Sequence, residues 1–326
     1  MRVHVKRAIA VVSVLLVAVA VAACSSASTS SSGTTTTPAA TKGPIRVGSK
    51  IDVEDPLLGQ MMIAMLQANG FSVVDKTRTG ATDVVRKALL SNQIDIYPEY
   101  TANGVLVFLT AQKIAPAVLK SASATYDTVK ALDLKTNNVV WLQPSPANNT
   151  WAVAVTKAFA DKNHLVSMAD WAAYINSGKP VKVFGSQEFF TSAAGMPTFE
   201  KAYGFTLKSS QTLALATGDT AVTEKAVAQG TSGANAAMAY GTDGTLSALG
   251  LVVLTDPKAA QPIYQPAPTL RKDVYDKYPE IATILDPVFS KLTLQTLQDL
   301  NGQIQVQAKD PKTVATTWLK QQGFLK

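Results

Sequence analysis

The sequence predicts an α/β protein of two lobes, and three observations carry that expectation. Short apolar runs alternate with amphipathic segments from residue 44 onward; the alternation restarts near Trp151 after a polar interval; and the chain beyond Pro268 turns mostly helical. The first lobe is therefore expected to comprise residues 44–148 together with 266–326, completed only after the chain has built the second lobe from residues 149–265.

The elements follow in order. Ile45 to Val47 reads as a strand, and Asp55-Pro56 as an N-cap with proline at the first helical position. Leu57, Leu58, Met61, Met62, Met65 and Leu66 then fall on one helical face, and Gly70 stops the helix. Phe71 to Val74 is the next strand, Thr82 caps a helix through Leu90, and Ile94 to Tyr97 is a third strand. A β-α-β-α-β run of this kind implies a parallel sheet with right-handed crossovers.

In the second run a strand from Trp151 to Val155 precedes a helix capped by Ser167, followed by a strand at Val181 to Phe184. Helices near 196–203 and 220–228, a strand from Ala236 to Tyr240 and another from Leu251 to Leu254 complete it. After a Pro-rich passage, Gln261 to Pro268, the closing helices are capped at Thr293 and at Asp310-Pro311. Two crossing strands, near Asn149 to Val155 and Gln265 to Leu270, are expected to form the hinge.

The amino terminus has a different grammar. Arg2, Lys6 and Arg7 precede an apolar run from Ala8 to Ala23 broken only by Ser13, the pattern of an export signal and short for a spanning helix. Residues 1–23 are thus expected to be a signal peptide. Residues 25–43 are Ser, Thr, Ala and Gly with little apolar bulk, which suits a flexible tether after Cys24. The run Val21-Ala22-Ala23-Cys24 resembles the bacterial lipobox, which implies lipidation of Cys24 and a periplasmic or extracytoplasmic domain lipid-anchored to the cell membrane.

Composition excludes several chemistries. The chain of 326 residues has one cysteine and two histidines, and Cys24 and His4 both fall in the amino-terminal segment. The body has only His164, in the polar loop Asp161 to His164, so no His-rich metal site, no multi-cysteine site and no intrachain disulfide framework is expected. No GxSxG, GxxxxGK[ST], GxGxxG opening a helix or HExxH occurs, and the reading is a protein that is not an enzyme and has no cofactor. Without Arg2, Lys6 and Arg7 the 30 basic residues become 27 against 23 acidic, a net +4 too mild and too evenly spread to argue for nucleic acid.

The aromatic residues are more informative. Tyr97 and Tyr100, Trp151, Tyr240 and Tyr264 all stand beside turns or strand ends, where loops of two lobes face a cleft. A quaternary ammonium has no N–H to donate and is recognised instead by the negative faces of aromatic rings. Each of these residues also has an ordinary alternative in core packing, and Gly241-Thr242-Asp243-Gly244 an alternative as a plain turn.

The segments IRVGSKIDVEDPLLGQMM, IDIYPEYTANG, PSPANNTWAVAV, FEKAYGF, GDTAV, AAMAYGTDG and PIYQPAP, in that order, resemble the substrate-binding proteins of osmoprotectant ABC transporters of the glycine-betaine-binding type, over about residues 44–326. The resemblance implies a type II periplasmic-binding-protein fold, two α/β lobes joined by a two-strand hinge. It implies a monomeric receptor that delivers a quaternary amine such as glycine betaine or choline, a solute of osmotic stress, to a membrane permease driven by a cytoplasmic ATPase. It places an aromatic cage on Tyr100, Trp151, Tyr240 and Tyr264, with Trp151 where many relatives have Tyr. Lys50 resembles the lysine that meets the betaine carboxylate, and Asn103 falls where relatives often have an assisting Thr.

There are departures. Many relatives clamp the carboxylate with an Arg in the second lobe, whereas the stretch Glu188 to Gly195 has no basic residue and places Ser192 at about that position. Loss of a bidentate guanidinium removes a strong charge-assisted contact. Met196 replaces an aromatic or Leu, and Phe189 and Phe190 offer either apolar wall or core. A rival reading keeps the fold but takes a zwitterion such as an amino acid, ectoine or ergothioneine; a ligand with free N–H groups wants a cleft acid, for which Glu99, Glu188 and Asp243 are candidates. A second rival is an enzyme or sensory domain built on the fold.

Overall fold

The computed structural model describes residues 42–192, 194–215 and 219–326; the expected signal peptide, Cys24 and residues 25–41 of the tether lie outside them. Among these residues ten strands form two five-stranded sheets of the same design. The first sheet holds β1 (Lys42–Gly48), β2 (Phe71–Lys76), β3 (Ile96–Tyr100) and β4 (Val139–Trp141). The second holds β5 (Trp151–Thr156), β6 (Val183–Ser186), β7 (Thr212–Leu215), β8 (Ala236–Tyr240) and β9 (Leu251–Val253); β10 (Pro266–Arg271) returns to the first. The orders are β2-β1-β3-β10-β4 and β7-β6-β8-β5-β9. In each sheet three parallel strands come first; an antiparallel strand that has just crossed from the other sheet follows, β10 against β3 and β5 against β8.

The crossing passages are 142–150 and 254–265, and neither is itself a strand. The expected hinge strands belong to the sheets, because their backbone groups pair with β3 and β8 as soon as each crossing ends. The passages hold each other: Asn149 N donates to the Tyr264 carbonyl at 2.9 Å and Tyr264 N to Asn148 Oδ1 at 2.8 Å.

Several boundaries move for physical reasons. β1 starts at Lys42, inside the expected tether, since Lys42 N donates to the Gly70 carbonyl at 3.1 Å. The third strand starts at Ile96, just after Asp95, whose carboxylate accepts from Arg46 N at 2.7 Å and Arg46 Nε at 2.8 Å. The first helix runs Glu54–Ala68 with Val53 at its N-cap; the capping oxygen comes from Asp52, which accepts from Asp55 N at 2.9 Å, so Asp55 lies within the first turn. Thr82 is likewise a first helical residue after Ala81. The caps at Ser167, Thr293 and Asp310 form as expected, the first as a capping box with Asp170.

The Glu54–Ala68 helix is buried on nearly all sides, more than a one-faced stripe requires. Leu57, Met61 and Leu66 pack against Leu285, Phe289, Trp318 and Leu319, so the carboxy-terminal helices wrap the first helix of the lobe. The second lobe has its own core around Val153, Trp171, Phe199 and Met238. His164 is exposed and ends the Lys157–Asn163 helix with φ 56°.

Candidate functional site

Tyr100 and Tyr240 end the third parallel strand of their respective sheets, β3 and β8. Trp151, the first residue of β5, lies directly opposite Tyr240 in the ladder. Their rings stack with centroids 6.4 Å apart at 22°, and the buried Phe189 braces Trp151 edge-on at 5.9 Å. Tyr264 reaches the same space from the second crossing. Together with Lys50, Asn103, Glu188, Ser192 and Asp243, these rings line one cavity of about 740 Å³.

Tyr97 does not belong to that wall. Three positions before Tyr100 on a strand of period two, it points to the opposite side and packs with Val85, Leu89 and Trp141. Phe189 and Met196 are also core, and Phe190 packs beside them.

Beneath Tyr100 lies a buried polar network that sequence reasoning missed. The Tyr100 hydroxyl donates to Glu54 Oε1 at 2.8 Å and Asp55 Oδ2 at 3.0 Å. Lys50 Nζ donates to Glu99 Oε1 at 2.9 Å and lies 3.6 Å from Asp55 Oδ1 and 4.1 Å from the centroid of the Tyr100 ring. Asn103 Nδ2 donates to the same Glu99 oxygen at 3.0 Å. Lys50 and Asn103, expected to face a ligand carboxylate, therefore converge on a carboxylate of the protein itself. Burial lowers the Lys50 pKa, yet Asp55, Glu99 and Asp52 outweigh it and hold the ammonium above its ordinary value.

Glu54 ties the lobes. Its Oε1 also accepts from Asn149 Nδ2 at 3.3 Å, and its Oε2 from Asn301 Nδ2 at 2.8 Å. The Asn301 amide donates as well to the Thr242 carbonyl, at 2.9 Å, on the second lobe's 241–244 turn. Burial raises Glu54 to about 7, against opposing hydrogen bonds from Thr242, Tyr100 and Asn301. The turn is pressed against the Leu294–Gln305 helix: a Cβ on Gly244 would stand 2.0 Å from Gly302 N, and Gly244 N donates to Gln305 Oε1 at 2.9 Å. On the second lobe Asp243 Oδ2 accepts from Tyr240 N at 2.6 Å and so fixes the turn that carries the ring. Burial and the neighbouring Asp243 push Glu224 well above the usual carboxyl range, and Thr245 donates to it. Ser192 caps the Gln187–Thr191 helix, its Oγ accepting from Ala194 N at 3.2 Å.

The local signal for the acids was the run Asp52-Val53-Glu54-Asp55, which also reads as helix-start chemistry. Asn301, 247 residues from Glu54, gave no local signal. Among the described residues no group of three His, Cys, Asp or Glu side chains is placed to hold a metal.

Two like sheets bridged by paired crossings, with an aromatic cleft between them, set the ground for comparison with known proteins. Residues 43–321 match the family described as the substrate binding domain of the ABC-type glycine betaine transport system. The chain belongs to that family. It is 50% identical over 289 residues to the glycine betaine-binding protein YehZ of Escherichia coli strain K12, covering 89% of this chain and 94% of that one. It is 29% identical over 289 residues to a glycine-betaine-binding protein of Pseudomonas aeruginosa, covering 86% and 88%. A solved structure of apo YehZ from Escherichia coli, at 50% identity, matches with a TM-score of 0.76 over 86% of this chain and 99% of that one. The two-lobed α/β periplasmic-binding-protein fold expected from the sequence is the fold of this binding-domain family, whose matched members are transport proteins.

Proposed function

We propose that this binding domain captures glycine betaine or a related quaternary amine between Tyr100, Trp151, Tyr240 and Tyr264 and delivers it to an ABC permease with a cytoplasmic ATPase. The observation that carries this reading is the Trp151–Tyr240 stack, two near-parallel rings held by strand register and by Phe189 at the wall of an interlobe cleft. Ring faces attract a cation that has no hydrogen-bond donor, by about 0.5–2 kcal/mol each as the site is desolvated. Ligand contacts from both lobes stabilise the closed form over the open one, so binding shifts the population toward closure. No bond in the ligand is made or broken, and the protein is no enzyme.

We further infer that residues 1–23 act as an export signal and that a lipid on Cys24 holds a monomeric receptor on the outer side of the membrane. The lobes would be residues 44–148 with 266–326, and 149–265. No helix among the described residues is long and apolar enough to cross a membrane. Intact-mass measurement of the membrane fraction, with and without Cys24→Ala, tests the anchor.

Calorimetric titration of the purified chain with glycine betaine tests the ligand class and is expected to give saturable heat. A panel of quaternary amines that gave neither heat nor a rise in melting temperature would overturn it.

A further inference from the structure

Behind the aromatic wall of the second lobe two acids meet without a cation. Glu224, on the Thr220–Ala228 helix, is wholly buried, and Asp243, on the 241–244 turn, is 8% exposed at the edge of the cleft. Their carboxyl groups hydrogen-bond each other. Thr245 donates to Glu224 Oε2, and no donor among the described residues reaches Glu224 Oε1.

The surroundings supply no neutralising charge. The Thr220–Ala228 helix packs mainly against β5, β6, β8, the Thr245–Ala248 helix and the Thr231–Gly233 turn. None of these segments has a charged side chain, and Tyr240 is their one titratable residue. Lys225 on the helix itself is exposed, and the other charged group that acts on the pair is a third acid, Asp219 at the helix N-cap.

Two carboxylates have only acceptors, so a hydrogen bond between them needs a proton. Like charges in contact in a buried site do not both ionise. The proton belongs on Glu224, the deeper of the two: burial and the adjoining Asp243 push it up to about 10. Asp243, although burial raises it as well, accepts from Tyr240 N, Glu224 and Thr220, and each of these favours its charged form. Asp243 Oδ2 holds Tyr240 N at 2.6 Å, and the Tyr240 ring stacks on Trp151.

We propose that Glu224 works as a neutral carboxylic acid that donates to Asp243 and so positions the Tyr240 ring at the cleft wall. The acid pair stands independently of the quaternary-amine reading above, whereas its effect on affinity rests on that reading. The test measures melting temperature from pH 6 to 9 and titrates glycine betaine at pH 7, for the wild-type chain, Glu224→Gln and Glu224→Leu.

Gln keeps a neutral donor toward Asp243 and an acceptor for Thr245. An unfolded Glu224 ionises near its ordinary 4.5, so the wild-type chain takes up a proton to fold above that pH and its stability falls as pH rises toward 10. Glu224→Gln takes up none there: it is expected to melt at or above the wild-type temperature at pH 8, by a margin that grows from pH 6 to 9. It is expected to bind glycine betaine within about threefold of the wild type, whereas Glu224→Leu, with no donor, loses about tenfold or more. Asp243→Asn covers the case in which Glu224→Leu does not fold. Its amide donates to an ionised Glu224, so its melting temperature is expected to fall less with pH than the wild type's.

A folded Glu224→Gln chain that melts several degrees below the wild type at pH 8, or binds at least tenfold more weakly, would show that an ionised Glu224 is needed and overturn the proposal. Wild-type affinity in Glu224→Leu would overturn the positioning role. If the wild-type chain binds no quaternary amine, the reading above fails and the positioning role with it, while the melting temperatures still decide where the proton sits.

Discussion

The two sheets bring a tyrosine to the same place by the same route, and the two tyrosines end in opposite surroundings. Tyr100 closes β3 and Tyr240 closes β8, each beside the strand that has just crossed from the other sheet. Opposite Tyr240 stands Trp151, and the second lobe supplies ring against ring. Opposite Tyr100 stands Pro266, and what surrounds the first lobe's ring is ionic: Lys50 on its face, Glu54 and Asp55 on its hydroxyl. Equivalent backbone positions thus set where a side chain points, while its neighbours decide whether it offers polarisable surface or a field. On the proposed reading, the second lobe would hold the cation and the first would set the charge that the cation meets.

That division of labour can be broken most strongly on the aromatic side. Trp151→Ala or Tyr240→Ala is expected to weaken quaternary-amine binding by about 30-fold or more in calorimetry, from two or more kcal/mol of lost ring contact. Tyr240→Phe keeps the ring and is expected to stay within about threefold. Equal losses in both Tyr240 variants would shift the weight from ring face to hydroxyl and erase the contrast between the lobes.

Gly244→Ala attacks the join between them. The added methyl meets the backbone of Gly302, and the turn has to move off the Leu294–Gln305 helix. A loss of about 1–3 kcal/mol in thermal unfolding is expected, with ligand affinity falling in step. An unchanged melting temperature would mean that the turn and the helix are not held together in solution.

The first lobe's field is expected to show in pH. Glu54 is raised from an ordinary 4.5 to about 7, so the folded state holds its proton where the unfolded chain has released it. Stability contributed this way is full below about 4.5 and is lost as pH rises to about 7, by roughly 3 kcal/mol, and Glu54→Gln should flatten that slope. Cation affinity should move the other way and rise as Glu54 ionises beside Asp52 and the Tyr100 hydroxyl. A pH-independent affinity in the wild-type chain from 5.5 to 8.5 would remove Glu54 from the binding field.

Tyr97→Phe is expected to have the smallest effect. Its hydroxyl donates over a long 3.3 Å to Glu99 Oε2 and has the Arg86 guanidinium beside it, so a loss of about 1 kcal/mol in stability and no change in affinity is expected. A tenfold loss of affinity would place Tyr97 back in the site.

Local chemistry was legible in the sequence, and distant chemistry was not. Ser167, Thr293 and Asp310 cap helices because the cap depends on three or four neighbouring residues, and β8 fell on Ala236–Tyr240 because an apolar run bounded by glycine has little freedom. The cavity residues Tyr100, Trp151, Tyr240 and Tyr264 stood out as aromatics at strand ends, and all four line the cleft. Tyr97 shared that signal and lies in the core, since only strand parity separates it from Tyr100. The link from Glu54 to Asn301 and Thr242 depends on the return of the carboxy-terminal helices, and no window of sequence includes both ends. The pairing of Lys50 with Glu99 had no local signal for a related reason: Glu99 lies 49 positions on, in the middle of a strand.

The crossing strands have a consequence for how the molecule is made. β3 finds its neighbour β10 only after the whole second sheet has been synthesised, and the side of the Glu54–Ala68 helix turned away from the sheet finds its cover in residues beyond 280. The second lobe can close once β9 is complete, whereas the first has to wait with one side of its almost wholly buried Glu54–Ala68 helix uncovered until the last helices of the chain arrive. A ribosome halted just after β9 has cleared its exit tunnel would hold one finished lobe and one unfinished one, and proteolysis of such stalled chains should protect the later-made half first.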